Sequence, residues 1–220
     1  TGHDINHEFQ VFQNTDNNSL WISRPSLNDF YNSCLSITIL PTIFAKITSI
    51  SGMYVYKLIF QIIFAFGLVP IYYFIKKLSN EKKALIGSFL FISFPTFLND
   101  MPFLNRQEIA IVFFNLLILT TFIKIPKKTK TILTIIFLTG IMFSHYSTNF
   151  IIIGILSMSW FFYKLLTRKL TFKKIANLPL LNLRIIVLAI FLTFLWNVQI
   201  TRKTSLSKST LLTTFNKVTN

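Results

Sequence analysis

Long apolar runs alternate with short polar loops along most of the chain. An α-helix needs roughly 17–25 apolar residues to cross the hydrocarbon core of a bilayer. Runs near or within that length cover residues 54–75, 84–99, 108–123, 131–147, 149–166 and 183–200. The pattern predicts an all-α fold, a polytopic transmembrane helix bundle with about six spans.

The N-terminal part of the chain follows a different pattern. Residues 1–31 are polar, and residues 32–50 are apolar and amphipathic but interrupted by Pro41. This predicts an exterior segment followed by a helix lying in the membrane interface. The alternative, a short transmembrane helix, would invert every later loop. The predicted regions are an exterior segment with interfacial helix (1–52), a transmembrane bundle (53–200) and an exterior polar segment (201–220).

Composition supports membrane residence and narrows the partners. Of 220 residues, 52% are hydrophobic and only 13% are charged, which is typical of a membrane protein. The net charge of +15 does not indicate nucleic acid, because the cations lie in short clusters between apolar runs, where they can contact lipid headgroups. Cys34 is the only cysteine, so an intramolecular disulfide is excluded.

The charged residues fall into two sets when successive spans are taken to cross the membrane in alternate directions. One set of loops is rich in lysine and arginine, and short loops of that kind stay cytoplasmic. The other set holds almost all the acids, namely Asp4, Glu8, Asp16, Asp29, Asp100 and Glu108. This predicts a multi-pass plasma-membrane protein with acidic loops outside. An exterior N-terminus implies a preceding transmembrane helix, and the polar segment 201–220 implies further sequence after it.

The first group of candidate functional residues is Asp4 and Glu8. Four residues apart, they share one face of a helix, where they can bind a divalent cation or supply a general base. On spacing alone, a polar segment without chemistry is the more common explanation. A zinc site from His3 and His7 is less favoured, because zinc usually takes three or four protein ligands.

Two further groups lie at the same predicted face. Asp100, Arg106 and Glu108 fall in or beside a short exterior loop, where an arginine can bind a phosphate and an acid can instead cap a helix. His145 and Tyr146 end another span, where histidine can move protons and tyrosine can belong to an aromatic belt. Three polar groups converging from separate loops favour a functional site.

The order of these motifs resembles the C-type (GT-C) membrane glycosyltransferases. An early exterior Gly-x-Asp (Gly2 to Asp4) is followed by an interfacial helix and a second acidic loop with arginine. The stretches Asn105-Arg106-Gln107-Glu108-Ile109-Ala110 and Ser144-His145-Tyr146-Ser147 resemble an uncharacterised prokaryotic family of multi-pass membrane proteins related to that fold. The resemblance covers most of residues 1–200. His3-Asp4 stands where some branches have two acids.

The resemblance implies transfer of a sugar from a polyprenyl-phosphate-type lipid donor to an acceptor outside the cell. Asp4 and Glu108 would be catalytic, and Glu8, Arg106, His145 and Tyr146 would bind substrate. Some branches need a divalent cation, Mg²⁺ or Mn²⁺, which Asp4, Asp100 and Glu108 would hold; no other cofactor is implied. The expected partners are the lipid-linked donor and membrane lipids.

Three other functions remain open at this point. A transporter or flippase for lipid-linked saccharides would span the membrane in the same way, although transporters usually bind ions near the midplane and these spans are almost wholly apolar there. An O-antigen-polymerase-like or ligase-like enzyme, which would also use basic and acidic exterior loops, is the second alternative. A structural membrane subunit is the third.

Overall fold

The computed structural model describes residues 3–22, 31–167 and 182–200, and this part of the chain is helical, without β-strands. The N-terminal segment, expected as an exterior loop, is a helix, α1 (His3–Asn18). A 3₁₀ turn (Tyr31–Ser33) leads to α2 (Ile39–Thr48). The predicted interfacial helix is therefore shorter than 32–50. Pro41 lies in its first turn, where its missing N–H is tolerated.

The next helical segment runs from Gly52 to Leu78. It comprises α3 (Gly52–Tyr54), a π-turn (Val55–Ile59), α4 (Phe60–Phe66) and α5 (Leu68–Leu78). The local break falls at Gly67, whose carbonyl accepts a hydrogen bond of 3.0 Å from the Asn115 side chain. A polar group on a neighbouring helix thus satisfies backbone freed within an apolar segment.

The remaining helices build the rest of the bundle. They are α6 (Glu81–Ile92), a π-turn (Thr96–Asp100) with a 3₁₀ turn (Met101–Phe103), α7 (Asn105–Phe122), α8 (Lys127–Ser144), α9 (Tyr146–Thr167) and α10 (Leu183–Phe194), which continues as a π-helix (Leu195–Ile200). Helix α7 is central, because it packs against α4, α5, α8, α9 and α1.

Two apolar clusters form the core. One joins α1 to the start of the Gly52–Leu78 segment through Val11, Phe12, Ile37, Val55, Tyr56, Phe60 and Ile109. The other joins α7, α8, α9 and α10 through Leu117, Leu138, Ile141, Ile152, Leu156, Ile185 and Ile186. The first cluster fixes the N-terminal helix against the bundle, and this contact places the side chains described below.

The membrane prediction is confirmed in a coarser form. Among the described residues, two helices are long and apolar enough to cross a membrane, Gly52–Leu78 and Tyr146–Leu165. A third span results if Glu81–Ile92 and Thr96–Phe103, bent by 53°, are taken together. The predicted count of about six is thus not reached by length and composition. Helix α7 carries Arg106, Glu108 and Asn115, α8 begins in lysines, and Leu183–Asn197 is short.

Some predicted features lie outside the described residues. These are the polar segment 201–220, the basic stretch 168–181 and Asp29.

Candidate functional site

Arg106 is the centre of a buried polar cluster between α1 and α7. Its side chain belongs to the first turn of α7, and the residue is only 6% exposed. Nη2 lies 3.0 Å from Asp4 Oδ2, and Nε lies 3.2 Å from Glu8 Oε1. The Asp4 contact is a hydrogen bond, whereas the Glu8 contact is an ion pair without hydrogen-bond alignment. We call Asp4, Glu8, Arg106 and Glu108 the Arg106 cluster.

The geometry follows from the local sequence of both helices. Asp4 and Glu8 are four residues apart on α1, so both carboxylates reach the same side. Arg106 and Glu108 lie at the N-terminus of α7, where the helix dipole favours negative charge. Both carboxyl groups of α1 therefore lie at the positive start of α7, beside the arginine.

Two tyrosines hold the guanidinium. The Arg106 Cζ atom lies 4.1 Å from the centre of the Tyr31 ring and 5.9 Å from that of Tyr146, both within range of cation–π attraction. The Tyr31 hydroxyl also donates a 3.0 Å hydrogen bond to Asp4 Oδ1. On its other side, Tyr31 stacks with His7 at 5.7 Å. These contacts fix the orientation of both Arg106 and Asp4.

Glu108 lies behind the ion pairs. Glu8 and Glu108 are both 0% exposed, while the side chain of Asp4 is 39% exposed. Gln61 donates to Glu108 Oε2 at 3.2 Å and approaches Asn105 Oδ1 at 3.4 Å. Asp4 is consequently the carboxylate of the cluster that a molecule from outside can reach.

The cluster contains three carboxylates and one guanidinium, which affects its protonation. Burial raises the pKa of Glu8 to about 8, although the charge of Arg106 acts in the opposite direction. Burial, opposed by Arg106, also raises the pKa of Tyr31. Glu8 Oε2, Glu108 Oε1 and Arg106 Nη1 have no hydrogen-bond partner within the described chain. Groups of this kind usually bind a ligand or water, or hold a proton.

The other residues predicted from the sequence lie at different distances from this centre. Tyr146 contacts it through the cation–π pair, and His145 lies next to Tyr146 at a ring separation of 5.5 Å, with its Nδ1 2.7 Å from Thr148 Oγ1. Asp100 is exposed at the end of the π-turn that precedes α7.

The predicted metal site is not assembled in this structure. Within residues 3–22, 31–167 and 182–200, no group of three His, Cys, Asp or Glu side chains is arranged to hold a metal ion. Asp4, Asp100 and Glu108 thus do not form a common ligand set here. The requirement for Mg²⁺ or Mn²⁺ stays a prediction.

Tyr31, Gln61 and Lys57 contribute to this region but did not emerge from the sequence. Lys57 and Gln61 carried a usable signal, because they are polar side chains four residues apart within the apolar run 54–75. Charged and amide groups in such runs are commonly functional. Tyr31 carried no comparable signal, since an isolated tyrosine in a polar stretch has no distinctive pattern.

An apolar cleft lies beside the cluster. Its volume is about 420 Å³, within the range of small-molecule sites. Residues of α1, of the Gly52–Leu78 segment and of the turn before α7 line it: Ile5, Asn6, Phe9, Met53, Tyr56, Lys57, Gln61, Pro102 and Phe103. We call this cavity the α1 cleft. Gln61 lines it and also donates a hydrogen bond to Glu108, so the α1 cleft and the Arg106 cluster are contiguous.

Comparisons with known proteins leave the class of protein to be argued from this geometry. No family model matches the sequence, and neither the curated proteins nor the solved structures include a significant match.

Proposed function

We propose that the chain belongs to a membrane glycosyltransferase that moves a sugar from a polyprenyl-phosphate-type lipid to an acceptor outside the cell. The observation that carries the proposal is the Arg106 cluster beside the α1 cleft. A reachable carboxylate, a fixed guanidinium and an apolar cavity lie together, and these are the elements such a transfer needs.

Asp4 is the proposed general base. The acceptor hydroxyl or amide would give its proton to the Asp4 carboxylate while its heteroatom forms a bond to the anomeric carbon. The bond from that carbon to the phosphate oxygen breaks, and the phosphate leaves with the electron pair. Asp4 suits this role by its exposure and because Arg106 and Tyr31 hold one oxygen each.

Arg106 fixes Asp4 and contributes positive charge. Its guanidinium is buried, so it would act on the leaving group through its positive charge and not through direct contact. Glu8 would act as a positioning residue through Arg106. Glu108 is closed off from outside in this structure, so its predicted catalytic role requires the loop before α7 to move.

The topology proposed from the sequence fits this arrangement. Helix α7 begins at the Arg106 cluster and ends just before Lys124, Lys127 and Lys128, so the basic loop lies at the opposite end of the helix. We place the cluster on the exterior face of the plasma membrane and the basic loops in the cytoplasm. In this arrangement, helices that are too short or too polar to span a membrane by themselves would still cross it as part of a multi-pass bundle.

One observation favours the alternative, a transporter or flippase for lipid-linked saccharides. Glu8 and Glu108 are buried carboxylates beside a single arginine, an arrangement that also suits proton-coupled movement. The exposed carboxylate and the cleft at the end of the helices, away from the midplane, favour transfer.

The experiment uses labelled polyprenyl-phosphate sugar in vesicles that contain the protein in its native membrane. Asp4→Asn should reduce sugar transfer at least hundredfold, because a general base typically contributes that much. Asp16→Asn is the matched control, since Asp16 lies on the same helix and pairs with the exposed Lys46. Full transfer by Asp4→Asn would refute the proposal. Movement of labelled lipid across the vesicle without transfer would establish the alternative.

A further inference from the structure

Lys57 is a cation near the start of a membrane-length helical segment whose other cations, Lys76 and Lys77, lie at its far end. It lies in the Gly52–Leu78 segment, is exposed, and lines the α1 cleft. Among the described residues it takes part in no ion pair. Ionisable side chains within such segments are rare and usually mark a functional site.

The backbone around the cleft is irregular on both sides. Lys57 is the central residue of the π-turn Val55–Ile59, which is closed by a hydrogen bond from the Phe60 N–H to the Val55 carbonyl. A second π-turn, Thr96–Asp100, directly precedes the 3₁₀ turn that supplies Pro102 and Phe103 to the lining of the cleft. π-turns are uncommon and concentrate at functional sites. Two of them beside one cavity therefore indicate a binding site independently of Lys57.

The walls of the cleft define the chemistry of its ligand. Ile5, Phe9, Met53, Pro102 and Phe103 present apolar surface, and Lys57 provides the only full charge among the lining residues. This combination matches an anionic amphiphile: an apolar chain in the cavity and a negative head at the lysine. Gln61, four residues after Lys57 on the same segment, also lines the cleft and donates a hydrogen bond to Glu108.

We propose that the α1 cleft binds the first isoprene units of a polyprenyl phosphate and that Lys57 is the ionic partner of its phosphate. The assignment rests on the proposed function, and it gives Lys57 a role that the sequence assigned to Arg106. Arg106 has Asp4 and Glu8 on two of its three nitrogens, whereas Lys57 takes part in no ion pair within the described part of the chain.

The depth of Lys57 suits this role. It lies five residues after Gly52, about 7 Å along the helix axis at 1.5 Å per residue. A lysine at that depth extends its amine towards the headgroup level while its methylenes remain in apolar surroundings. A phosphate at the headgroup level would then be within reach of the extended lysine amine.

The test measures binding of tritiated farnesyl phosphate to the protein in phosphatidylcholine nanodiscs. Lys57→Gln should weaken binding at least tenfold, and Lys57→Arg should restore most of it because the charge is kept. Lys77→Gln is the matched control, an exposed lysine at the other end of the same segment, and should bind like the wild type. Met53→Trp should narrow the cleft and weaken binding of both farnesyl phosphate and uncharged farnesol.

Several results would overturn the inference. Equal binding by Lys57→Gln and the wild type, or equal losses in Lys57→Gln and Lys77→Gln, would show that Lys57 has no specific role. If inorganic phosphate or phosphatidylglycerol competes as effectively as unlabelled farnesyl phosphate, the site binds anions in general and is not specific for an isoprenoid. Loss of farnesol binding in Lys57→Gln would indicate a misfolded cleft, which would also contradict a role limited to the phosphate.

Failure of this inference is separable from failure of the proposed function. Lys57-dependent binding without any sugar transfer would leave the lipid site standing and remove the glycosyltransferase assignment. Undiminished sugar transfer in Lys57→Gln would support the glycosyltransferase assignment and remove the lipid site at Lys57.

Discussion

Arg106 Nη2 lies 3.0 Å from Asp4 Oδ2 and so joins two residues that are 102 positions apart in the sequence. The contact fixes the first turn of α1 to the first turn of α7. Because Glu8 uses the same guanidinium, the N-terminal helix is held by two carboxylates on one arginine. The site and the attachment of α1 therefore depend on the same side chain.

Replacing Arg106 should destabilise the protein strongly. Above about pH 8, where Glu8 is ionised, Arg106→Met leaves its carboxylate buried without a counter-charge, and breaking a buried ion pair from one side typically costs about 3–5 kcal/mol. Glu8→Gln in the Arg106→Met background should recover part of this loss, because no buried charge then remains to be compensated on α1. Thermal unfolding in detergent micelles measures the loss in Arg106→Met and the recovery in the double variant. Additive losses in the double variant would show that Glu8 and Arg106 do not interact energetically.

Glu8 should make stability fall as the pH rises. Its pKa is raised from about 4.5 to about 8 by burial, so the folded protein binds a proton that the unfolded chain has released in that interval. This contribution is fully present below about pH 4.5 and is lost as the pH rises through about 8, with a slope of up to about 1.4 kcal/mol per pH unit. The groups that surround Glu8 are Asp4, Tyr31, Arg106, Glu108 and Tyr56.

Glu8→Gln isolates this group, because the amide keeps the shape and cannot titrate. Unfolding temperatures measured between pH 5 and pH 8 should decline less steeply in Glu8→Gln than in the wild type. Asp16→Asn should retain the wild-type slope, because Asp16 pairs with the exposed Lys46 on the surface. If the unfolding temperatures of Glu8→Gln and the wild type depend on pH in the same way, Glu8 is not the group with the raised pKa.

The composition of the cluster was largely predictable from sequence, and its assembly was not. The four-residue spacing of Asp4 and Glu8 and the position of Arg106 and Glu108 at a helix start are local patterns, so they can be read directly. The contact between these pairs depends on how α1 packs on the Gly52–Leu78 segment through Phe12, Tyr56 and Phe60. No local pattern in the sequence reports that packing.

The count of spans illustrates a second limit. Asn115 donates to the Gly67 carbonyl, and Thr121 accepts a 2.9 Å hydrogen bond from Lys130 through its backbone oxygen. Helix α7 thus satisfies its polar groups against neighbouring helices, which lets it remain polar while lying at the centre of the bundle. A hydropathy pattern records the polarity of α7 but not the neighbours that compensate for it.

Gly52 should be intolerant of a side chain, whereas Gly154 should accept one. A Cβ atom at Gly52 would overlap the ring of Phe12, which is itself buried against Phe9 and Tyr56. Gly52→Ala should therefore cost about 1–3 kcal/mol by overpacking. Nothing lies within 4 Å of a Cβ at Gly154, so Gly154→Ala should gain up to about 1 kcal/mol from helix propensity.

Thermal unfolding of the two alanine variants provides the comparison. Adding Phe12→Leu to Gly52→Ala should restore part of the loss, because the smaller side chain vacates the space that the new methyl group needs. If Gly52→Ala unfolds at the wild-type temperature, α1 does not pack on the start of the Gly52–Leu78 segment as described.

The proposed topology requires the two ends of α7 to face opposite sides of the membrane. On a Cys34→Ser background, Asn6→Cys, exposed on α1 near the Arg106 cluster, should react in intact cells with a maleimide that cannot cross the membrane. Lys77→Cys and Lys128→Cys, exposed at the basic end, should react only after permeabilisation, because positive loops stay inside. Cys34 is buried, so its replacement removes background labelling without opening a surface. Labelling of positions 6 and 128 from the same side would exclude a membrane crossing by α7 and with it an exterior site.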